Sequence, residues 1–157
     1  MHRESNAADF LASTVKPTVD EFLASPHDVR RARLAAIVLY HMADYVALES
    51  NTPLKEVCSR ATASCSDFPL VRDVANATKH AKLVAKKKAA LSSSSQVGAS
   101  PGLFQAPFGE GVFAEAVEVL FTLDSGERRP LLPVLCSVLQ MWQRKLDGES
   151  RNALSDT

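Results

Sequence analysis

No sign of charge dominates this sequence: eighteen Lys and Arg stand against eighteen Asp and Glu in 157 residues. No overall field therefore draws it to nucleic acid or to an anionic membrane. Cysteine is scarce as well. The three thiols, Cys58, Cys65 and Cys136, are an odd number at spacings that fit neither a zinc knuckle nor a redox CxxC pair, and they read as free, buried side chains. Long apolar runs are missing. The longest, 34–48, is interrupted by His41 and Asp44 and falls short of the ~20 residues a spanning helix needs, which argues against a transmembrane segment. The opening residues lack the apolar core of a secretory signal and carry acids foreign to a transit peptide, so a cytoplasmic location is the expectation. Glycine is too sparse at Gly98, Gly102, Gly109 and Gly111 for a phosphate loop or a dinucleotide fingerprint, and Ser92 to Ser95 do not form a Gly-x-Ser-x-Gly elbow. Nucleotide hydrolysis and serine-hydrolase chemistry thus have no support, and no repeat appears at periods of about 20 to 50 residues.

What is present is ordinary globular composition, 46% hydrophobic and 23% charged, enough for one helical domain over 1–157 with a real core. Pro17 suits a first helical turn, predicting a short helix over 16–24. Ser25 as cap and Pro26 as first residue predict a long helix over 26–49, with Leu34, Ile37, Val38, His41, Tyr45 and Leu48 forming its packed stripe. Thr52 and Pro53 repeat the start signal for 53–63, and the residues from Ser66 to Pro69 repeat it for a helix over 69–90. That helix would end on Lys82, Lys86, Lys87 and Lys88, whose charge complements the helix dipole. The Ser- and Gly-rich stretch 91–102 reads as a flexible loop. Beyond it, Phe113, Val117, Val119 and Phe121 share one parity, and Asp124 to Glu127 make a turn. A hairpin follows, with Pro130 confining its returning arm to an edge. A last helix over 131–147 carries Leu135, Val138, Leu139, Trp142 and Leu146 on one side, Gly148 ends it, and 149–157 frays. The fold class is mainly α: an antiparallel bundle of about four principal helices with a small β-hairpin before the last one.

Chemistry concentrates on the fourth of these helices. Setting Arg72 at zero and advancing ~100° per residue puts Lys79 at about −20°, Asn76 at about 40°, His80 at about 80° and Asp73 at about 100°. Leu70, Val74, Ala77, Ala81 and Val84 fall between roughly 120° and 200°, so Asp73 and His80 stand where core meets solvent. His80 can exchange a proton near neutrality, Arg72 and Lys79 can hold a phosphate or carboxylate, and Asp73 can orient the imidazole. The same pattern would arise if Asp73 paired with a neighbouring element, Asn76 bonded a loop and the cations were solvated. His41 and Asp44, at i and i+3, form a second group. Together with Asp73 and His80 they could enclose a metal, but the Glu-x-x-His order of carboxylate-bridged bundles is missing and a hydrogen-bonded histidine is the expectation. The cations Arg30, Arg31, Arg33, Lys79, Lys82 and Lys86 to Lys88 lack interleaved aromatics and read as solvated helix surface.

An arginine followed by a polar residue and, further along the helix, a histidine resembles the RNA-cleaving signature of the HEPN superfamily of helical bundles, matched here by Arg72, Asp73 and His80. That resemblance implies a homodimer in which Arg72 and His80 of two protomers meet across a two-fold axis and cleave RNA without metal. The wider pattern Asp73-x-x-Asn76-x-x-Lys79-His80, with a Gly- and Phe-containing loop and a Trp-bearing last helix, is similar to small uncharacterised bacterial proteins and implies no activity. The expected function is an intracellular binding or regulatory module, its ligand edge made of Arg72, Asp73, Asn76, Lys79 and His80 with His41 reaching it. The alternatives are the HEPN-like ribonuclease, with His80 and Arg72 catalytic, and a purely structural homodimer. No cofactor and no metal are expected; a second copy of the chain, and a small anionic ligand or RNA, are the expected partners.

Overall fold

Asn6 opens the helical part by accepting the Asp9 N–H at 2.8 Å, the bond an asparagine cap provides. In the computed structural model, which describes residues 6–81, 89–99 and 118–155 with side chains as far as Arg151, this cap starts α1 (Ala7–Phe10). The helix runs on through a π turn (Leu11–Val15) into α2 (Lys16–Ala24), so the first helical stretch begins well before the predicted Lys16. Pro17 explains the wide turn, since it has no N–H to give the preceding turn and its ring crowds that turn's carbonyl.

Ser25 does not cap the next helix. Its hydroxyl accepts from Arg31 Nη1 at 2.7 Å, and Asp28 takes the capping role by accepting the Arg31 N–H at 3.0 Å, so α3 spans Val29–Glu49. That N–H is the main reason the Asp28 carboxyl lies below its ordinary 3.8; burial opposes it, and the Arg30 N–H and both arginine charges add to it. Because the folded-state pKa is the lower one, the cap contributes stability above the unfolded pKa and loses it as pH falls through the folded value. The melting-temperature difference between the native protein and Asp28→Ala should therefore hold constant from neutrality to about pH 5 and shrink below about pH 4. A difference that persisted unchanged at pH 2.5 would contradict this.

Thr52 donates to the Ser50 carbonyl instead of capping, and α4 spans Leu54–Ser64. α5 spans Phe68–His80, with Pro69 in its first turn. It stops some ten residues short of the predicted end at 90, without a glycine or proline to signal it. Ala81 turns to φ +60°, its carbonyl accepts the Ser94 N–H at 2.9 Å, and Ala89 and Ala90 are not helical. Lys82, Val84 and Lys86 to Lys88 lie outside the described residues.

The serine-rich stretch is structured where it is described. Gln96 knits it together: its Oε1 accepts the N–H groups of Ser92 (2.9 Å) and Ser93 (2.7 Å), and its Nε2 donates to the Thr122 carbonyl and Asp124 Oδ1, both at 2.8 Å. Ser94–Gln96 form a 3₁₀ turn and Leu91 is fully buried. β1 (Val97–Ala99) then pairs antiparallel with β2 (Val119–Thr122), Val97 opposite Phe121. β2 pairs with β3 (Arg128–Pro130), Leu120 opposite Pro130. The predicted hairpin is thus two strands of a three-stranded sheet in the order β1-β2-β3, with Pro130 on an edge strand as its missing N–H requires. Val119 and Phe121 face the core as their parity predicted; Phe113 and Val117 lie outside the described residues. Gly126 takes φ +89° in the β2–β3 turn, a conformation open to glycine at little cost.

α6 spans Leu131–Ser155 and passes through Gly148, so the predicted stop and frayed tail at 149–155 are helix. It buries Leu135, Val138, Leu139 and Trp142 as its period predicted, together with Leu131, Val134 and Met141. The described chain is mainly helical, with the small sheet before the last helix.

α3 is the hub, packing against α1, α2, α4, α5, α6 and β1. Here the predicted stripe faces the wrong way. Leu34 and Leu48 are exposed, the latter 81%, and Ile37, Val38, His41 and Tyr45 are half-buried. The helix instead buries Ala32, Ala35, Ala36, Leu39, Met42, Ala43 and Val46. A helix surrounded by others gains most by turning its small side chains toward the closest neighbours, because alanine lets the backbones approach. Among the described residues no helix is long and apolar enough to cross a membrane.

Candidate functional site

The polar residues of α5 divide into an anchored pair and an outward row. Asp73 is buried, its side chain only 5% exposed, and both oxygens are used: Oδ2 accepts the Ala90 N–H at 2.7 Å and Oδ1 accepts Arg72 Nε–H at 3.0 Å. Asp73 therefore fastens the chain that returns after α5 and, with its other oxygen, orients Arg72. Its carboxylate is turned inward, away from solvent.

Arg72 is the residue this anchoring prepares. Its side chain is 33% exposed, and with Nε committed to Asp73 its two terminal nitrogens have no hydrogen-bond partner among the described residues. Asn76, one turn on, is half-buried; Lys79 and His80, in the last turn, are exposed. His80 lies about 12 Å from Arg72 along the axis at ~1.5 Å per residue, so the two cannot share one reacting group within a protomer.

α3 supplies the facing groups. Arg33 Nη2 donates to the Ser94 carbonyl at 2.8 Å while the Ser94 N–H reaches Ala81, which places the start of α3 beside the end of α5 and makes the two antiparallel. Tyr40 then falls level with Asn76 and Arg72. Burial is the first cause that lifts the Tyr40 hydroxyl above its ordinary 10.0, with Cys58 and Asp44 adding to it, while the Arg72 charge and a hydrogen bond with Asn76 act in the other direction. The Cys58 thiol of α4 is likewise raised by burial first, with Arg72 opposing and Asp44 adding. At neutral pH both stay protonated, so Cys58 is no ready nucleophile. His41, beside Tyr40, bonds through Nδ1 to Asp44 Oδ2 at 2.9 Å, both side chains close to half exposed. Three helices thus bring Tyr40, Asp44, Cys58, Arg72 and Asn76 to one junction with the His41–Asp44 pair at its rim. No family model, curated protein or solved structure matches this chain. The site is read from its geometry alone.

Of the residues expected at the edge, Arg72 and Asn76 meet the α3 side of the junction, Lys79 and His80 continue outward along α5, and Asp73 is drawn inside. No group of three or more His, Cys, Asp or Glu able to hold a metal ion occurs among the described residues. Tyr40 was not singled out in the sequence, and Cys58 was read there only as a free, buried thiol, whereas it and Cys136 are half-buried and Cys65 alone is buried. The run Tyr40, His41, Asp44 at i, i+1 and i+4 was the available signal for the first, whereas nothing near Cys58 marks it as a neighbour of Arg72. Two of the three α3 arginines prove structural: Arg31 bonds Ser25 and pairs with Asp28, and Arg33 bonds the Ser94 and Val97 carbonyls.

Proposed function

We propose that this chain is a binding module whose α5 edge, headed by Arg72, takes an anionic group of a ligand or partner. The observation that carries the reading is the anchored guanidinium. A buried carboxylate, itself tied to backbone at 2.7 Å, fixes Arg72 through Nε and leaves its terminal nitrogens for an incoming oxyanion. An arginine already held in place loses less side-chain freedom on binding than a free one. Asn76 offers an amide one turn away. Lys79 and His80 add positive or titratable charge along the path of approach.

Calorimetric titration with inorganic pyrophosphate at low salt tests this. Millimolar or tighter binding is expected, weakened roughly 10- to 100-fold in Arg72→Gln, since charge-assisted hydrogen bonds contribute about 1.5–3 kcal/mol. No heat in the native protein, or equal affinity in Arg72→Gln, sinks the reading. The same preparation incubated with single-stranded RNA and EDTA separates the second possibility. Cleavage that disappears in His80→Ala would replace the binding module with the metal-independent, homodimeric ribonuclease that the HEPN resemblance implies.

A further inference from the structure

A second candidate site lies between α4 and α6. α4 packs on α3 and α5, and Cys65, just past its end, meets Ser137 of α6 at 3.3 Å between Sγ and Oγ. Beyond that contact the facing sides of α4 and α6 leave a hollow of about 510 Å³, within the ~300–1,000 Å³ usual for small-molecule sites. Its floor is apolar: the edges of Val57 and Met141, each 4% exposed, with the fully buried Trp142 beneath them. Its walls are cationic: Arg60 from α4, Arg144 and Lys145 from α6, with no acidic side chain in the lining.

The three cations are not equivalent. Arg60 pairs with Glu56 and Lys145 with Glu149, each on its own helix one turn away. Arg144 has no ion pair or hydrogen bond among the described residues. It also borders a second hollow of about 610 Å³, lined from α6 by Gln140, Gln143 and Asp147 as well, where Lys16 is tied to Asp20. One unpaired guanidinium over an apolar floor, flanked by two cations whose solvent-exposed pairs hold them only weakly, is a receptor for one negative charge carried on an apolar body. An inorganic anion would leave the floor in water. An uncharged hydrocarbon would leave Arg144 unanswered.

We infer that the α4–α6 groove binds a small amphipathic monocarboxylate, its head group on Arg144 and its short hydrocarbon chain over Val57 and Met141 and against the aliphatic stems of Arg60 and Lys145. This is independent of the α5 edge, and neither site's failure bears on the other. Trp142 is the single tryptophan of the chain, so its fluorescence reports from immediately beneath the floor of the groove.

Titration of the full chain with octanoate, octanol and acetate, followed by Trp142 emission and by calorimetry, decides the matter. Octanoate should saturate a change in Trp142 emission with one site per chain and bind at least tenfold more tightly than either octanol or acetate. Arg144→Gln should remove that advantage over octanol, and Arg144→Glu should abolish octanoate binding. Arg144 is exposed, so both variants keep the native fold, checked by circular dichroism. Lys16→Gln, altering only the second hollow, should leave octanoate affinity unchanged. Octanol binding as tightly as octanoate, octanoate affinity untouched in Arg144→Gln, or no Trp142 response to millimolar octanoate each overturns the inference.

Discussion

Trp142→Ala is expected to destabilise the protein by about 3–5 kcal/mol, the range for removing a large aromatic from a packed interior. Trp142 is completely buried, and its ring meets Phe68 of α5 edge-on with centroids 5.9 Å apart. Its indole N–H donates to the Leu39 carbonyl of α3 at 3.0 Å. One side chain of α6 therefore touches the central helix through a hydrogen bond and α5 through a ring contact, and deleting it opens a cavity where the three meet. Trp142→Phe separates the contributions. It keeps most of the ring volume and loses the hydrogen bond, and should cost about 1–3 kcal/mol. Since no other tryptophan exists, urea unfolding must be followed by circular dichroism. A loss under about 1 kcal/mol in Trp142→Ala would mean that the three helices do not converge on this residue.

Asp73→Asn should cost about 2–3 kcal/mol although it is nearly isosteric. The two carboxylate oxygens accept from different donors, the Ala90 N–H and Arg72 Nε–H. An asparagine offers one oxygen and one NH₂, so one of those donors must face another donor, and leaving a buried group unpaired costs about 1–3 kcal/mol. The loss has a location. Amide hydrogen exchange at Ala90, and at Ser94, whose N–H reaches the Ala81 carbonyl, should accelerate far more than exchange in α3 or α6. Arg72→Gln should leave those amides protected, because Ala90 keeps its acceptor. If Asp73→Asn accelerated exchange evenly over the whole protein, Asp73 would be a general core residue and not the fastening of the segment that follows α5.

The wheel drawn for 68–84 put Arg72, Asn76, Lys79 and His80 on one side of α5, of which Lys79 and His80 are exposed while Arg72 and Asn76 are half-buried against α3. It also placed Asp73 at the seam. What a residue at a seam faces depends on what lies across from it, and there it is the N–H of a residue seventeen positions later. The α3 stripe failed for a related reason. Large apolar side chains mark the buried face of a helix lying on the surface of a domain, whereas α3 is surrounded, and its alanines face the nearest neighbours while Leu48 is left in solvent. The serine run from Ser92 to Ser95 has the composition of a loose loop, but Gln96 and Asp124 supply it with partners that composition does not reveal.

Period and proline positions, both of them properties of neighbours along the chain, were enough by themselves to determine a mainly helical protein, the inner face of α6, the hairpin around Gly126 and the edge position of Pro130. The tertiary structure alone decided where α5 stops, which side of α3 is buried, that Asp73 turns inward and that Arg144 faces a hollow beside α4. Those outcomes depend on hydrogen bonds and contacts between residues distant in sequence, and a buried donor or an unpaired cation acquires its meaning only from what the fold sets opposite it.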